Sequence, residues 1–121
     1  MEFRNCNLTG IHFNDAYLEN IIFYHCVLSY SDFSNSKLKD VQFISCNLLG
    51  TFFHEVKWKK LFFDNCNLSE TEFYKISLKE LDITSCQISN IKFDIHYLEG
   101  LVVNYYQAAF IATILGIKIK E

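Results

Sequence analysis

Proline is absent from the 121 residues and glycine occurs four times, an unusual shortage for a chain that turns often. A basic excess is also missing: 11 Lys and Arg stand against 14 Asp and Glu, for a net charge of −3, which disfavours a general nucleic-acid binder. No apolar run is long enough for a bilayer; the longest, from Ala108 to Ile117, is broken by Thr113 and Gly116. Met1-Glu2-Phe3-Arg4-Asn5 lacks the basic stretch and apolar run of a signal peptide, so neither secretion nor a membrane partner is expected. The five cysteines form no C-x-x-C pair, and an odd count argues against a disulfide framework or a zinc site. Reduced thiols in a cytoplasmic protein are the expectation.

What is present is enough apolar matter for one core. Half the residues are apolar and about a fifth charged, which excludes a disordered tail, and the length suits a single domain. The apolar residues are strictly spaced. Every fifth residue from Phe3 through Leu8, Phe13 and Leu18 to Leu98 and Val103 is apolar, 21 in succession without a slip. The residue two before each is small or aliphatic in nearly every case. The remaining three of each five are mostly Asn, Asp, Ser, Glu and Lys. A period of five fits neither a helix nor a flat strand. It needs a backbone that turns a corner every five residues with two of the five side chains pointing inward.

A second period sets the size of the coil. Cysteines stand at 6, 26, 46, 66 and 86, always 20 apart, and Phe alternates with Leu at the centres of successive fives. Four fives therefore make one revolution of a four-sided coil, and equivalent residues stack in columns. Phe ladders fill two walls and Leu ladders the other two. Cysteine serves as a small hydrophobe in a tight column, since one sulfur per coil on a line does not make a metal cluster.

Asn5-Cys6-Asn7-Leu8-Thr9, Ser45-Cys46-Asn47-Leu48-Leu49 and Asn65-Cys66-Asn67-Leu68-Ser69 carry the (A/C)(D/N)L core of the pattern A(D/N)LXX. With these residues the chain resembles the pentapeptide-repeat family over residues 1–103. The resemblance implies an all-β fold, a right-handed quadrilateral β-helix, here of about five coils. At ~4.8 Å per coil the rod is ~24 Å long. It is quasi-one-dimensional, each coil contacting only its neighbours. Met1 and Phe3 are already in phase with the repeat, so the first edge is either blunted by Glu2 and Arg4 or belongs to a shortened form of a longer rod.

Residues 104–121 leave the pattern. Asn104 is a good helix N-cap with Gln107 three residues later, as in a capping box, and Gly116 is placed to end the helix. Ile117-Lys118-Ile119-Lys120 alternates like a short strand. The expected α-helix is apolar on most of its circumference, so one side covers the last coil and the other wants a partner. Capping alone is the alternative. The dimerisation candidates are Tyr106, Phe110, Ile111, Ile114, Leu115, Ile117 and Ile119. Leu98-Glu99-Gly100-Leu101 through Tyr105-Tyr106-Gln107-Ala108, with Leu115-Gly116-Ile117, is similar to the C-terminus of quinolone-resistance pentapeptide proteins of the Qnr and MfpA type. That resemblance implies a two-fold homodimer and a DNA-mimicking binder of the type II topoisomerases, DNA gyrase and topoisomerase IV. The chain departs from the group in its shorter rod, its lack of interrupting loops and its weak acidity: residues 1–103 hold 13 acids and 9 bases.

Three features complete the candidate set. Lys39, Lys59 and Lys79 fall in one column, with Lys37 and Lys57 beside them, giving a wall that either attracts an anion or splays its ammonium groups into water. Phe52 and Phe62 point outward on opposite walls, as contact anchors or as isolated exposed rings. His12, His25, His54 and His96 lie on different columns, with His96 at an inward position expected to pack in a hydrogen bond near the last coil. No nucleophile, base and orienting group recur together and no glycine-rich phosphate loop exists, so no enzyme activity, cofactor or metal is expected. The sequence thus points to a dimeric protein-interaction solenoid of unassigned target, with topoisomerase binding as the alternative.

Overall fold

A computed structural model describes all 121 residues. The chain winds as a right-handed, four-sided β-solenoid of about five coils and closes on a single C-terminal helix. Four strands stack along one half of the rod: β1 (Glu2–Arg4), β2 (Tyr17–Tyr24), β3 (Lys37–Ile44) and β4 (Lys57–Asp64), parallel and in that order. Two shorter strands, β5 (Glu72–Phe73) and β6 (Lys92–Phe93), pair on another wall. Every pairing has a register of 20, as in Leu18 with Leu38 and Leu38 with Trp58. Outside the strands, isolated bridges such as Asn7 with Val27 and Asp32 with Phe52 carry the same register around the remaining corners.

The corner every five residues has a backbone cause. The residue two after each central side chain takes the left-handed conformation from Asn5 to Glu80 without exception. On two of the four sides this closes a β-turn, in which the N–H of the next inward residue donates to the central carbonyl, as from Ser31 to Leu28 (3.1 Å) and Thr51 to Leu48 (3.1 Å). At the third corner, Asn20, Asp40 and Lys60, the strand runs through, and at the fourth, His25, Ser45 and Asn65, the strand has just ended. Gly100 shows the steric demand: at φ +80° a Cβ there would lie 3.0 Å from the Cα of Lys79 on the coil below.

The core is the set of inward columns. Phe23 stacks on Phe43 at 4.9 Å between ring centroids, and Phe33, Phe53 and Phe73 stack at 5.1 and 5.0 Å. The two Phe ladders meet edge to face across the interior, as Phe33 does with Phe43 at 5.6 Å. Each cysteine from Cys26 to Cys86 donates its thiol to a phenylalanine carbonyl of the preceding coil, for example Cys46 to Phe23 (3.2 Å) and Cys66 to Phe43 (3.1 Å). All five are free thiols. Hydrogen bonding to Cys46 and Cys86, then burial, holds the Cys66 thiol well above the ordinary range. Burial does the same, more mildly, for Cys26.

The last coil departs from the expected path. His96 is exposed, not inward, and sits in a 3-10 turn, Ile95–Tyr97, where its own N–H is capped by the Asp94 carboxylate (3.1 Å). The cause lies one residue earlier. Ile95 occupies the corner position, which is left-handed at every site from Asn5 to Glu80 and again at Asn90 and Gly100, and a β-branched residue resists that conformation. The backbone leaves the coil there instead.

Candidate functional site

The tail is built as its capping residues dictate. The helix α1 (Tyr105–Ile114) starts at Asn104, whose side chain accepts from the Gln107 N–H while the Gln107 side chain accepts from the Asn104 N–H, both at 2.9 Å. It ends in a Schellman motif: Gly116, at φ +82°, donates to Thr113, and Ile117 donates to Ala112. The buried Gln107 amide also donates to the carbonyls of Ile83 and Cys86, both at 2.8 Å. Those carbonyls belong to the last complete coil, so one side chain both caps the helix and fastens it to the rod. The spacing Asn-x-x-Gln signals the capping half of this role; nothing in the sequence signals the fastening half.

The seven tail residues divide. Phe110 and Ile111 lean on the core as its lid. Tyr106 is 88 % exposed, beside Tyr105 at 89 %, and Ile114, Leu115, Ile117 and Ile119 also face solvent. Next to them lies an open, wholly apolar hollow of about 240 Å³ between the last coil and the helix, with Leu98, Leu101, Val103, Ile111, Leu115 and Ile117 on its walls. Residues 117–121 form no strand, contrary to the alternation of Ile117-Lys118-Ile119-Lys120. A strand exists only by pairing, and within one chain no edge lies beside this segment to complete it.

The lysine wall stands as its column predicts. Lys37 pairs in register with Lys57, and Lys39 with Glu19 and Lys59. Lys39 reaches Glu19 at 3.5 Å, while Lys37, Lys57, Lys59, Lys60 and Lys79 form no ion pair. Trp58 sits half-buried in the middle, its indole N–H donating to the Ser77 carbonyl at 2.6 Å. A polar cleft of about 480 Å³ runs along the wall's edge, with Asn35, Lys37, Glu55, Lys57, Lys75 and Tyr97 on its sides; Lys75 reaches Glu55 at 3.6 Å.

The two outward phenylalanines differ. Phe62 is half exposed above Asp82 and Thr84. Here the Asp82 carboxylate accepts from the Thr84 hydroxyl (2.7 Å) and N–H (2.9 Å), which hold it below the usual carboxylate range, the hydroxyl more than the N–H. Phe52 is partly covered, edge-on to His54 at 5.8 Å, and His54 in turn contacts Glu72 at 3.1 Å. The histidines are dispersed, and no three His, Cys, Asp or Glu side chains converge on one point.

Comparison with known proteins agrees with this architecture. Among curated proteins, none matches the sequence. A trypsin-treated variant of QnrB1, a plasmid-mediated fluoroquinolone resistance protein, has a similar structure at 23 % identity and a TM-score of 0.65, over 98 % of this chain and 80 % of that one. HetL from the cyanobacterium Nostoc, a pentapeptide repeat protein involved in heterocyst differentiation regulation, aligns at 12 % identity and a TM-score of 0.69, over 84 % of this chain but only 51 % of its own. A pentapeptide repeat protein of the Arabidopsis thaliana thylakoid lumen aligns at 14 % identity and 0.55, over 91 % and 77 %. A family model described as a pentapeptide repeat region matches residues 1–65, more than half of the sequence. With the period of five, the left-handed corners and the stacked Phe columns all in place, the chain belongs to the pentapeptide repeat family.

Proposed function

We propose that this protein is a non-enzymatic interaction solenoid that works as a homodimer joined through residues 104–121, with the coils of residues 1–103 presented to a protein partner. The observation that carries the reading is the unpartnered apolar face at the end of the rod: Tyr106, Ile114, Leu115, Ile117 and Ile119 open to water beside an apolar hollow. A monomer has no use for that much exposed apolar surface in one place. A two-fold axis would set the same patch against itself and give Ile117–Lys120 an edge to pair with. The five free thiols support a reducing, cytoplasmic setting.

Whole-tail deletion is a poor test, because it also strips the Phe110 and Ile111 lid and the Gln107 fastening. The pair Ile114→Asp and Ile117→Asp leaves those in place. Light scattering of the unaltered protein should give a dimer and of the double variant a monomer, with matching circular dichroism. A monomeric parent, or a variant that stays dimeric, would refute the reading.

A second reading, a DNA-mimicking binder of DNA gyrase and topoisomerase IV, draws support from the tail sequence shared with quinolone-resistance proteins. Its charge requirement is poorly supplied. No outward column carries carboxylates on two successive coils, and one wall is basic. A surface of this kind favours the first reading over mimicry of a phosphate backbone.

A further inference from the structure

We infer that the lysine wall is a docking face for a short acidic segment of a partner polypeptide. Within one wall, Lys37 and Lys57 stand on adjacent coils, as do Lys39 and Lys59, and Lys79 continues the second column. Adjacent coils are ~4.8 Å apart, so these ammonium groups repel one another. Nothing in the chain neutralises them except Glu19, at the end of the wall. Solenoid geometry also keeps the backbones of Lys37, Lys39, Lys57 and Lys59 from moving apart, since these four are held by the ladder hydrogen bonds of β3 and β4. With the backbones held, an added anion relieves that repulsion beyond what splaying the side chains into water achieves.

The shape of the charge selects the anion. The basic centre is three coils long and rimmed by carboxylates: Glu19 and Glu99 close its two ends, and Asp40, Glu55 and Glu80 stand on its corners. Outside this wall and its corners the coils carry two bases against seven acids. A duplex, whose phosphates run on past any contact, would meet that rim and the acidic walls beyond it. A few clustered carboxylates fit inside the rim. The 480 Å³ cleft gives one of them a seat beside Lys37 and Lys57, with Lys75 held by Glu55 at its far side, and the uncovered edge of Trp58, whose ring packs against the core, gives the segment an apolar contact. The inference rests on this wall alone and is independent of the oligomeric state.

The single tryptophan of the chain stands at the centre of the face and is its own reporter. The experiment titrates the full-length protein with octaglutamate and, separately, with a short DNA duplex, reading Trp58 fluorescence and calorimetric heat. Octaglutamate should bind saturably at low salt, and affinity should fall about tenfold or more as salt shortens the screening length. Lys57→Glu with Lys59→Glu should abolish it, and Lys57→Gln with Lys59→Gln should weaken it. Lys92→Glu, on another wall, should leave it unchanged. The inference fails if octaglutamate produces neither signal, if the duplex binds more tightly than the peptide, or if either Lys57/Lys59 variant binds as well as the parent.

Discussion

Residue by residue, the repeat works by assigning each of five positions one physical task. The corner position is the costly one. Fifteen non-glycine residues occupy the left-handed region there, including Tyr30, Lys60, Lys75 and Glu80. Left-handed backbone costs an ordinary residue about 1–2 kcal/mol, less for Asn and Asp, which hold five and two of the fifteen places. The position before each central residue offsets part of this. Asn7, Asp32, Asn47, Asn67 and Asp82 accept the N–H two residues on, which gives the Asn or Asp of the repeat its purpose. One inward residue fails its task. Ser36 is buried between Ala16 and Val56 in its column and its hydroxyl has no partner, whereas Ser31 donates to Leu28 at 2.6 Å and Thr71 to Leu68 at 2.6 Å. Ser36→Ala should therefore stabilise the fold by about 1 kcal/mol. Denaturant unfolding measures it, and a loss of stability would show that the hydroxyl is satisfied in solution.

Among the elements, the two ends of the rod are managed differently. At the N-terminal end Phe3, Leu8, Phe13 and Leu18 are only partly buried, the edge of the first coil being open. At the other end α1 lies across the core, and its attachment runs through Gln107. Gln107→Leu would keep the apolar volume but leave the Cys86 carbonyl and the Asn104 N–H without their partner, the Ile83 carbonyl still accepting from the Cys86 N–H. Buried orphans of this kind cost about 1–3 kcal/mol each, so a loss of about 3 kcal/mol in urea unfolding is expected. A change below about 1 kcal/mol would mean that packing of Phe110 and Ile111, not the amide, holds the helix.

Seen whole, the molecule is a stack of near-identical layers whose interior is uniform and whose exterior is not. The Phe and Cys columns repeat from coil to coil, so stability is a sum over neighbouring layers. Function must then reside in what varies outside: the basic wall, the apolar end and Phe62. The charge pattern bears on the topoisomerase reading. With no run of stacked carboxylates, purified protein should leave gyrase supercoiling unaffected at a hundredfold excess. Inhibition at stoichiometric levels would reverse the order of the two readings.

The sequence alone determined the coil, the registry and the core, because a side chain that returns to one interior environment every five residues leaves its signature in composition at that spacing. Asn104, Gln107 and Gly116 announced the helix ends for the same reason: caps are local chemistry. Only the tertiary structure decided where the pattern breaks and how the tail lies. Ile95 diverts the chain and turns His96 outward, Phe110 and Ile111 separate from Tyr106 and Ile117 by which side of α1 meets the last coil, and Ile117–Lys120 stays unpaired. The first follows from the local resistance of Ile95 to a left-handed corner, but the other two depend on which surface lies across from the residue, and a hydrogen-bonding edge or an opposing core is supplied by distant parts of a chain.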